Sequence, residues 1–357
     1  MRRGAEQGYV MLVAAVTIAA LALAVMVAAR AQTDLGPALR RLSDEVRLEA
    51  AAQTAEARVA FLLTTEPVGL AAIEVGGDRN LAQDAAAAET RRGIDTGAVI
   101  RVRLDGLGYG VQLGQAQALV SIQDEAGLLN LNAADETATR ALLAYAGAAR
   151  VAPLAAALVD YIDADDLQRA SGAEADDYAR AGLAGPANAP LRTRTTALEV
   201  LGWRAELSGA SRGPFFNWTS AQPATQALNV NTAPAEVLRA RLNLDARTTR
   251  TLIAHRERTP FLSLDEIEGF AGAQTRADAA PIGIAPGTRF RITTRLINAR
   301  GGAQSIHESQ LVVANGESSQ PVYWRQGAVR REDRGAVSRG MMNGIEFLPN
   351  GRANFPS

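Results

Sequence analysis

The chain has 357 residues, enough for two or three domains of roughly 100–200 residues each, and its 47% hydrophobic and 21% charged content supports a folded body. A net charge of −1, with every positive charge an arginine, gives no reason to expect a polyanion-binding surface. The lack of cysteine excludes structural disulfides and thiolate metal sites, and the two histidines, His255 and His307, argue against a histidine-rich zinc centre.

The first predicted element is a long helix over 9–65. Tyr9 to Ala29 is a stretch of 21 residues without a charge. As a helix it spans about 30 Å, one hydrocarbon thickness. A secretory signal has a shorter apolar region, about 7–15 residues, followed by an A-x-A-like cleavage site. Here the run is longer and Arg30 follows it. Arg2 and Arg3 precede it, which favours an N-terminus held in the cytoplasm and a body outside the inner membrane. Beyond Gly36–Pro37, where a kink is expected, Leu39, Leu42, Val46, Ala50 and Ala57 continue a helical apolar stripe between charges. An ordinary signal anchor followed by a stalk is one reading of this half.

Strands come next. "AVIRVRLDG" and "YGVQLGQAQALVSIQDEAG" alternate apolar and polar residues within 66–124. A matching set follows much later, within 287–327: "TRFRITTRLINARGG", "AQSIHESQLVVANG" and "PVYWRQG", the first two joined as a hairpin at "NARGGA". The two groups most simply form one antiparallel sheet, so that 125–286 is a helical insertion between strands. The polar, glycine-rich segment 328–357 is read as a disordered tail.

The insertion reads as a duplicated helical module, over 125–205 and 226–275. Each copy runs N-x-N-[AT]-A, a helix, a turn, a second helix, then a short third helix: "LNLNAADETATRALLAYAG" onward in the first, "LNVNTAPAEVLRARLNL" onward in the second. Asn132 and Asn231 stand where helix N-caps are wanted, and Thr195 or Thr196 and Ser263 are candidate caps for the third helices "TALEVLGW" and "SLDEIEGF". The second copy resembles a helix-hairpin-helix module of DNA-binding proteins through Asn231, Thr232, Ala233, Glu236, Leu238, Ile253, Arg256, Phe261 and Ser263. In such modules a G-x-G turn offers backbone amides to phosphate. The turns here, "LNLDART" and "YAGAARV", lack the glycine pair, and Asp245 would repel a phosphate.

The copies differ at one place. Between its second and third helices the first carries "YIDADDLQRASGAEADDYARAGLAGPANAPL", with Asp160, Asp163, Asp165, Asp166, Glu174, Asp176 and Asp177 close together. So many carboxylates on a loop repel one another unless a cation lies among them. Their alternation suits a hard ion taking six to eight oxygens, although the spacing is not that of an EF-hand. A solvated acidic loop is the plainer alternative.

Several of these features together carry a resemblance. A short basic leader, Gly8, the bulky Tyr9 and a long apolar helix resemble a type IV prepilin-like N-terminus. The resemblance implies that prepilin peptidase removes 1–8 after Gly8 and methylates the amine of Tyr9, while 9–29 stays as the transmembrane anchor. Most pilin-like chains carry Glu at the fifth mature position, which is thought to pair with a neighbour's terminal amine. Here that position is Val13, which suits a subunit with a missing neighbour. With the inserted N-L-N and N-V-N-T motifs and the "YIDADD…GAE…Y" segment, the chain resembles the type II secretion system minor pseudopilin GspK family from Gly8 to about Arg325. The resemblance implies an α+β fold: a pilin-like long N-terminal helix packed on an antiparallel β-sheet, with a large inserted all-α domain of two helix-hairpin-helix or SAM-like modules. It implies a place at the tip of the periplasmic pseudopilus with partners of GspI and GspJ type, supporting export across the outer membrane. It also implies a single-pass inner-membrane location with a periplasmic body, and calcium in the inserted domain. The matching carboxylates are Asp163, Asp165, Asp166, Glu174 and Asp177. Leu39, Leu42 and Val46 form the face expected to meet partner helices.

Two other classes stay open on sequence. A membrane-anchored helix-hairpin-helix protein for DNA binding or uptake requires a basic patch, whereas the insertion is acidic. A metal-dependent hydrolase requires a base or nucleophile beside the acidic loop, and neither histidine lies near it in sequence. The chain is read as a non-enzyme without a nucleic-acid partner.

Overall fold

The computed structural model describes residues 3–75, 100–113, 116–133, 135–207, 212–223, 227–271, 281–297, 303–313 and 328–330. The chain divides into two units, up to Thr54 and from Ala55 onward.

Helix α1, Arg3–Thr65, begins before Gly8 and continues through Gly36–Pro37. Its apolar stripe at Leu39, Leu42, Val46, Ala50 and Ala57 is exposed. In the last turns a different set is buried, Ala55, Val59 and Leu62, at the three- and four-residue spacing of one helix face. Among the described residues no helix is long and apolar enough to cross a membrane.

The sheet follows from alternating patterns. Strands β3 (Asp105–Leu113), β4 (Ala116–Asp124), β9 (Arg289–Ile297), β10 (Ala303–Val312) and β11 (Ala328–Arg330) lie in the order β11-β10-β9-β4-β3. All neighbours are antiparallel. On β9 the alternate residues Phe290, Ile292, Thr294 and Leu296 are buried, the period of a pleated strand with one face inward. β4 pairs directly with β9, from Gln117 opposite Ile297 to Asp124 opposite Phe290. Everything between Asp124 and Arg289 therefore leaves and returns through adjacent strands.

Two expectations change here. Most of "AVIRVRLDG" does not join that sheet: β2 (Ile100–Arg103) pairs with β1 (Ala72–Val75) in a separate two-stranded ribbon, and only Asp105 and Gly106 open β3. Gly106, at φ +81°, lies at the irregularity between Asp105 and Gly108 near the start of β3. The segment read as a disordered tail opens with a strand, because Ala328–Arg330 pair with Ile306–Glu308 on the β10 edge. The tip of the "NARGGA" hairpin, the "PVYWRQG" strand and 331–357 lie outside the described residues.

Between β4 and β9 the described chain is mainly helical. α2 (Glu136–Tyr145), α3 (Val151–Ile162), α4 (Ala175–Arg180), α5 (Trp203–Glu206), α6 (Arg212–Trp218), α7 (Ala235–Leu242), α8 (Ala246–Arg256) and α9 (Leu264–Ala271) enclose one continuous apolar core. Leu142, Leu158, Tyr178, Trp203, Phe215 and Leu238 belong to it. Trp203 stacks edge-on against Phe215 at 5.3 Å and donates its indole N–H to the Leu154 carbonyl at 2.9 Å, so the one polar atom of the ring is paired inside. Two short parallel pairs brace the helices: β5 (Leu129–Asn130) with β6 (Thr219–Ser220), and β7 (Leu228–Asn229) with β8 (Ile282–Gly283).

The asparagines do not cap helices. The N-cap of α2 is Asp135, whose side chain accepts from the Ala138 N–H, and that of α7 is Pro234. Asn132 and Asn231 instead bind distant backbone. The third helix expected at "TALEVLGW" is a 3-10 turn over Arg194–Glu199 capped by Thr193, then the single turn α5. Ser263 does cap α9, accepting from the Glu266 N–H at 3.3 Å.

Candidate cation-binding site

α3 is almost wholly apolar and ends in the core, and it carries Asp160 on its last turn. An ionised carboxylate there needs donors, and the following loop supplies them. Asp160 Oδ2 accepts from the Arg169 N–H at 3.2 Å and the Ala173 N–H at 2.9 Å. The loop thus folds back over the helix end. Gly172 permits this closeness: a Cβ there would lie 1.9 Å from Asp160 Oδ2. Burial pushes the Asp160 carboxyl above its ordinary value, against the pull of these two N–H groups and of Arg169.

The five predicted carboxylates take different roles around this fold-back. Glu174 is only 8% exposed, and neither carboxylate oxygen has a hydrogen-bond partner. Burial raises its pKa, and Asp160, Asp163, Asp166 and Asp165 raise it further through their negative charge. Asp163 Oδ1 is likewise buried without a partner, and that carboxyl is raised by burial and then by Asp165 and Asp160. Asp165 uses one oxygen to accept from the Leu167 N–H, and Asp166 accepts from Asn188 Nδ2, both at 2.9 Å. Asp177 is committed elsewhere. Its Oδ2 accepts from the Glu174 N–H at 3.1 Å, as the third residue of α4 reaching back to the N-cap, and from Gln168 Nε2 at 2.8 Å. Its Oδ1 pairs with Arg180.

As they stand, no three acidic or histidine side chains among the described residues converge into a metal-holding group. The donor set nevertheless fits a hard cation. Three buried carboxylate oxygens, two on Glu174 and one on Asp163, lack partners, and three further negative charges, Asp160, Asp165 and Asp166, crowd them. Asp160 was not among the predicted ligands. Its place three residues before Asp163, on the last turn of an apolar helix, is the signal that marks it.

The other predicted site residues lie on α1. The Gly8–Tyr9 bond falls within the helical backbone. Leu39, Leu42 and Val46 are exposed and follow one helix face.

The two hairpin turns that would meet phosphate in a DNA-binding module are filled by the chain's own carboxylates. Asp245 caps α8, with Oδ1 accepting from the Thr248 N–H at 2.6 Å. In the first copy Glu206 accepts from the Ala149 N–H at 3.0 Å and pairs with Arg150 at 2.9 Å, at the start of α3. These contacts hold both carboxyls below their ordinary values: chiefly the Thr248 N–H for Asp245, and the Ala149 N–H and then Arg150 for Glu206. The sites a phosphate would use already hold anions. His255 packs against Phe261 and Phe270, at 4.9 and 4.8 Å, away from the acidic loop in sequence.

A second polar centre, which sequence reasoning missed, fixes the helical body to the sheet. Asp124, the last residue of β4, is fully buried and accepts four hydrogen bonds. Asn229 Nδ2 and Thr232 Oγ1 donate to Oδ2 at 2.8 Å each, and the Ala126 and Gly287 N–H groups donate to Oδ1 at 3.0 and 3.1 Å. Beside it, Arg291 on β9 donates to the carbonyls of Phe216 and Thr219 and to Glu125. Burial pulls the Arg291 guanidinium down to about 10.

Two segments match family models with the description "Type II secretion system (T2SS), protein K": residues 117–211 and residues 228–285. The first opens on β4 and runs past α5, and the second covers β7 to β8. No curated protein matches the chain. Among solved structures the chain is similar to one described as "The Crystal Structure of the GspK-GspI-GspJ complex from enterotoxigenic Escherichia coli Type 2 Secretion System". Identity is 18% and the TM-score 0.45, covering 62% of this chain and 83% of that one. Both halves of the helical body thus match one description, protein K of the type II secretion system, over two segments that together span less than half of the chain.

Proposed function

We propose that this protein is the tip subunit of the periplasmic pseudopilus, assembled with minor pseudopilins of GspI and GspJ type and supporting export across the outer membrane. The observation that carries the reading is the place of the helical body. It enters from β4 and returns to β9, two hydrogen-bonded neighbours, so it projects from the middle of a sheet. A second copy stacked one helical step above would collide with it. Val13 supports the same reading, because this chain offers no carboxylate at the fifth mature position to a neighbour's terminal amine. An ammonium left unpaired in an apolar core costs several kcal/mol. The two matches to protein K of the type II secretion system support the partner classes.

In this reading prepilin peptidase cuts between Gly8 and Tyr9, the stretch from Tyr9 to Ala29 anchors the chain in the inner membrane, and the body lies in the periplasm. Leu39, Leu42 and Val46 meet partner helices. The inserted body is a pair of helix-hairpin-helix modules that have lost nucleic-acid binding, which the self-capped turns at Glu206 and Asp245 support. The acidic loop takes calcium as a structural ion, with Glu174 and Asp163 as its inner ligands. Bound there, the ion supplies positive charge to the crowded carboxylates, and Asp160 holds the loop on the end of α3.

Affinity isolation of the full chain from detergent-solubilised membranes tests the tip assignment. Other pseudopilins are expected at about one copy each per copy of this chain. Long filaments built from this chain alone, seen by electron microscopy, would sink it.

A further inference from the structure

We propose that Arg169 is a tethered counter-cation of the acidic loop, occupying two carboxylates that a divalent ion draws together and swinging out when the ion binds. The inference rests on the calcium reading above. Arg169 Nε lies 3.6 Å from Asp160 Oδ1 and 4.0 Å from Asp163 Oδ2. Asp163 is the residue whose other oxygen is buried without a partner, and Asp160 and Asp163 both bear on the equally unpartnered Glu174.

The chain is built so that the side chain can leave while the loop stays. The Arg169 backbone N–H is held by Asp160, and the Ala173 N–H holds the same carboxylate. These bonds do not involve the guanidinium. The guanidinium itself is half-exposed, so only water must receive it. Asp160 is buried, but at 3.6 and 4.0 Å and with the guanidinium in contact with water both pairs are weak, on the order of 1 kcal/mol. A divalent ion bound by several carboxylates therefore displaces it readily, but always against that opposition. The consequence is specificity by charge density. A monovalent ion gains little over a guanidinium already in place, whereas a divalent ion gains enough to displace it.

The test is calcium titration of the full chain in detergent, by isothermal calorimetry and by thermal melting with and without chelator, for the wild type, Arg169→Gln and Arg169→Lys. Arg169→Gln should melt lower than wild type in chelator and yet bind calcium about two- to tenfold more tightly, the size set by a weak, long pair to two carboxylates. Arg169→Lys should keep wild-type affinity within twofold. A purely structural arginine predicts weaker or unchanged calcium binding in Arg169→Gln, and that result overturns the proposal while leaving the calcium site standing. If neither wild type nor Arg169→Gln responds to calcium, the cation site and the proposal fall together.

Discussion

Asn132 and Asn231 make the same clasp in the two halves of the helical body. Each side-chain oxygen accepts from a backbone N–H, that of Leu191 at 2.7 Å and that of Phe261 at 2.8 Å. Each side-chain nitrogen donates back to the carbonyl of that same residue at 3.0 Å. The second donor bond goes to Gln222 in the first copy and Ile284 in the second. Binding the N–H and the C=O of one residue together, with a second carbonyl besides, suits the carboxamide, which offers an acceptor oxygen and a two-proton donor nitrogen side by side.

The clasps should differ in value because they differ in burial. Asn231 is buried and Asn132 only partly so. Asn231→Ala leaves an N–H and two carbonyls unpaired inside, a loss of about 2–4 kcal/mol, and Asn132→Ala, with water at hand, about half of that. Aspartate at 231 keeps the acceptor but cannot donate, so it should not rescue. Chemical denaturation checks the order, and equal losses at both positions would contradict it.

Asp124 should be the least replaceable residue of the joint. Asp124→Asn keeps the shape but turns one acceptor into a donor facing other donors, at a cost of about 2–4 kcal/mol. The pH dependence has a definite sign. Burial holds the Asp124 carboxyl above its ordinary value despite its four donors. The folded chain then binds this proton more readily than the unfolded one. This group favours the fold fully below its unfolded value and loses that effect as pH rises through the folded one. Comparing the pH slopes of stability in wild type and Asp124→Asn isolates the contribution, and a slope of opposite sign would refute it.

Period-2 alternation made the strands around β4 and β9 legible, and repetition of N-x-N made the two halves of the helical body legible. Local pattern could not show what asparagine does once the chain is folded. An asparagine ahead of a helix reads as a cap, yet Asn132 and Asn231 find partners 59 and 30 residues away. Asp124 reads as one more polar residue at a strand end, because its donors Asn229 and Thr232 lie 105 and 108 residues on. The acidic loop was visible as a cluster, but composition could not separate Glu174, buried without partners, from Asp177, spent on capping α4. That distinction depends on where α4 begins, and helix boundaries are the least certain part of any sequence reading.

Processing is testable by mass. Protein extracted from membranes with detergent should have Tyr9 as its methylated first residue, and a bulky residue at Gly8 should leave the leader attached. A chain beginning at Met1, or cut after Ala29, would remove the pilin-like assignment of the N-terminus.

Glu174 gives the sharpest test of the cation site, because two effects of opposite sign are expected from one substitution. In chelator its charge only harms the fold: both oxygens are buried without hydrogen bonds, and four aspartates surround them. Glu174→Gln removes that charge at constant shape, so without calcium the variant should melt at or above wild type. With calcium the order should reverse. Wild type gains stability by mass action on the folded state, about 2.7 kcal/mol at a hundredfold excess over Kd, and the variant loses most of that gain with its inner ligand. Magnesium should stabilise the wild type less, since it gives up water reluctantly and demands octahedral geometry. Asp177→Asn is the control: its oxygens already serve the α4 cap, Gln168 and Arg180, so it should lower stability alike with calcium and with chelator. If Glu174→Gln and Asp177→Asn both shift the two melting curves in parallel, the loop is acidic surface and holds no ion.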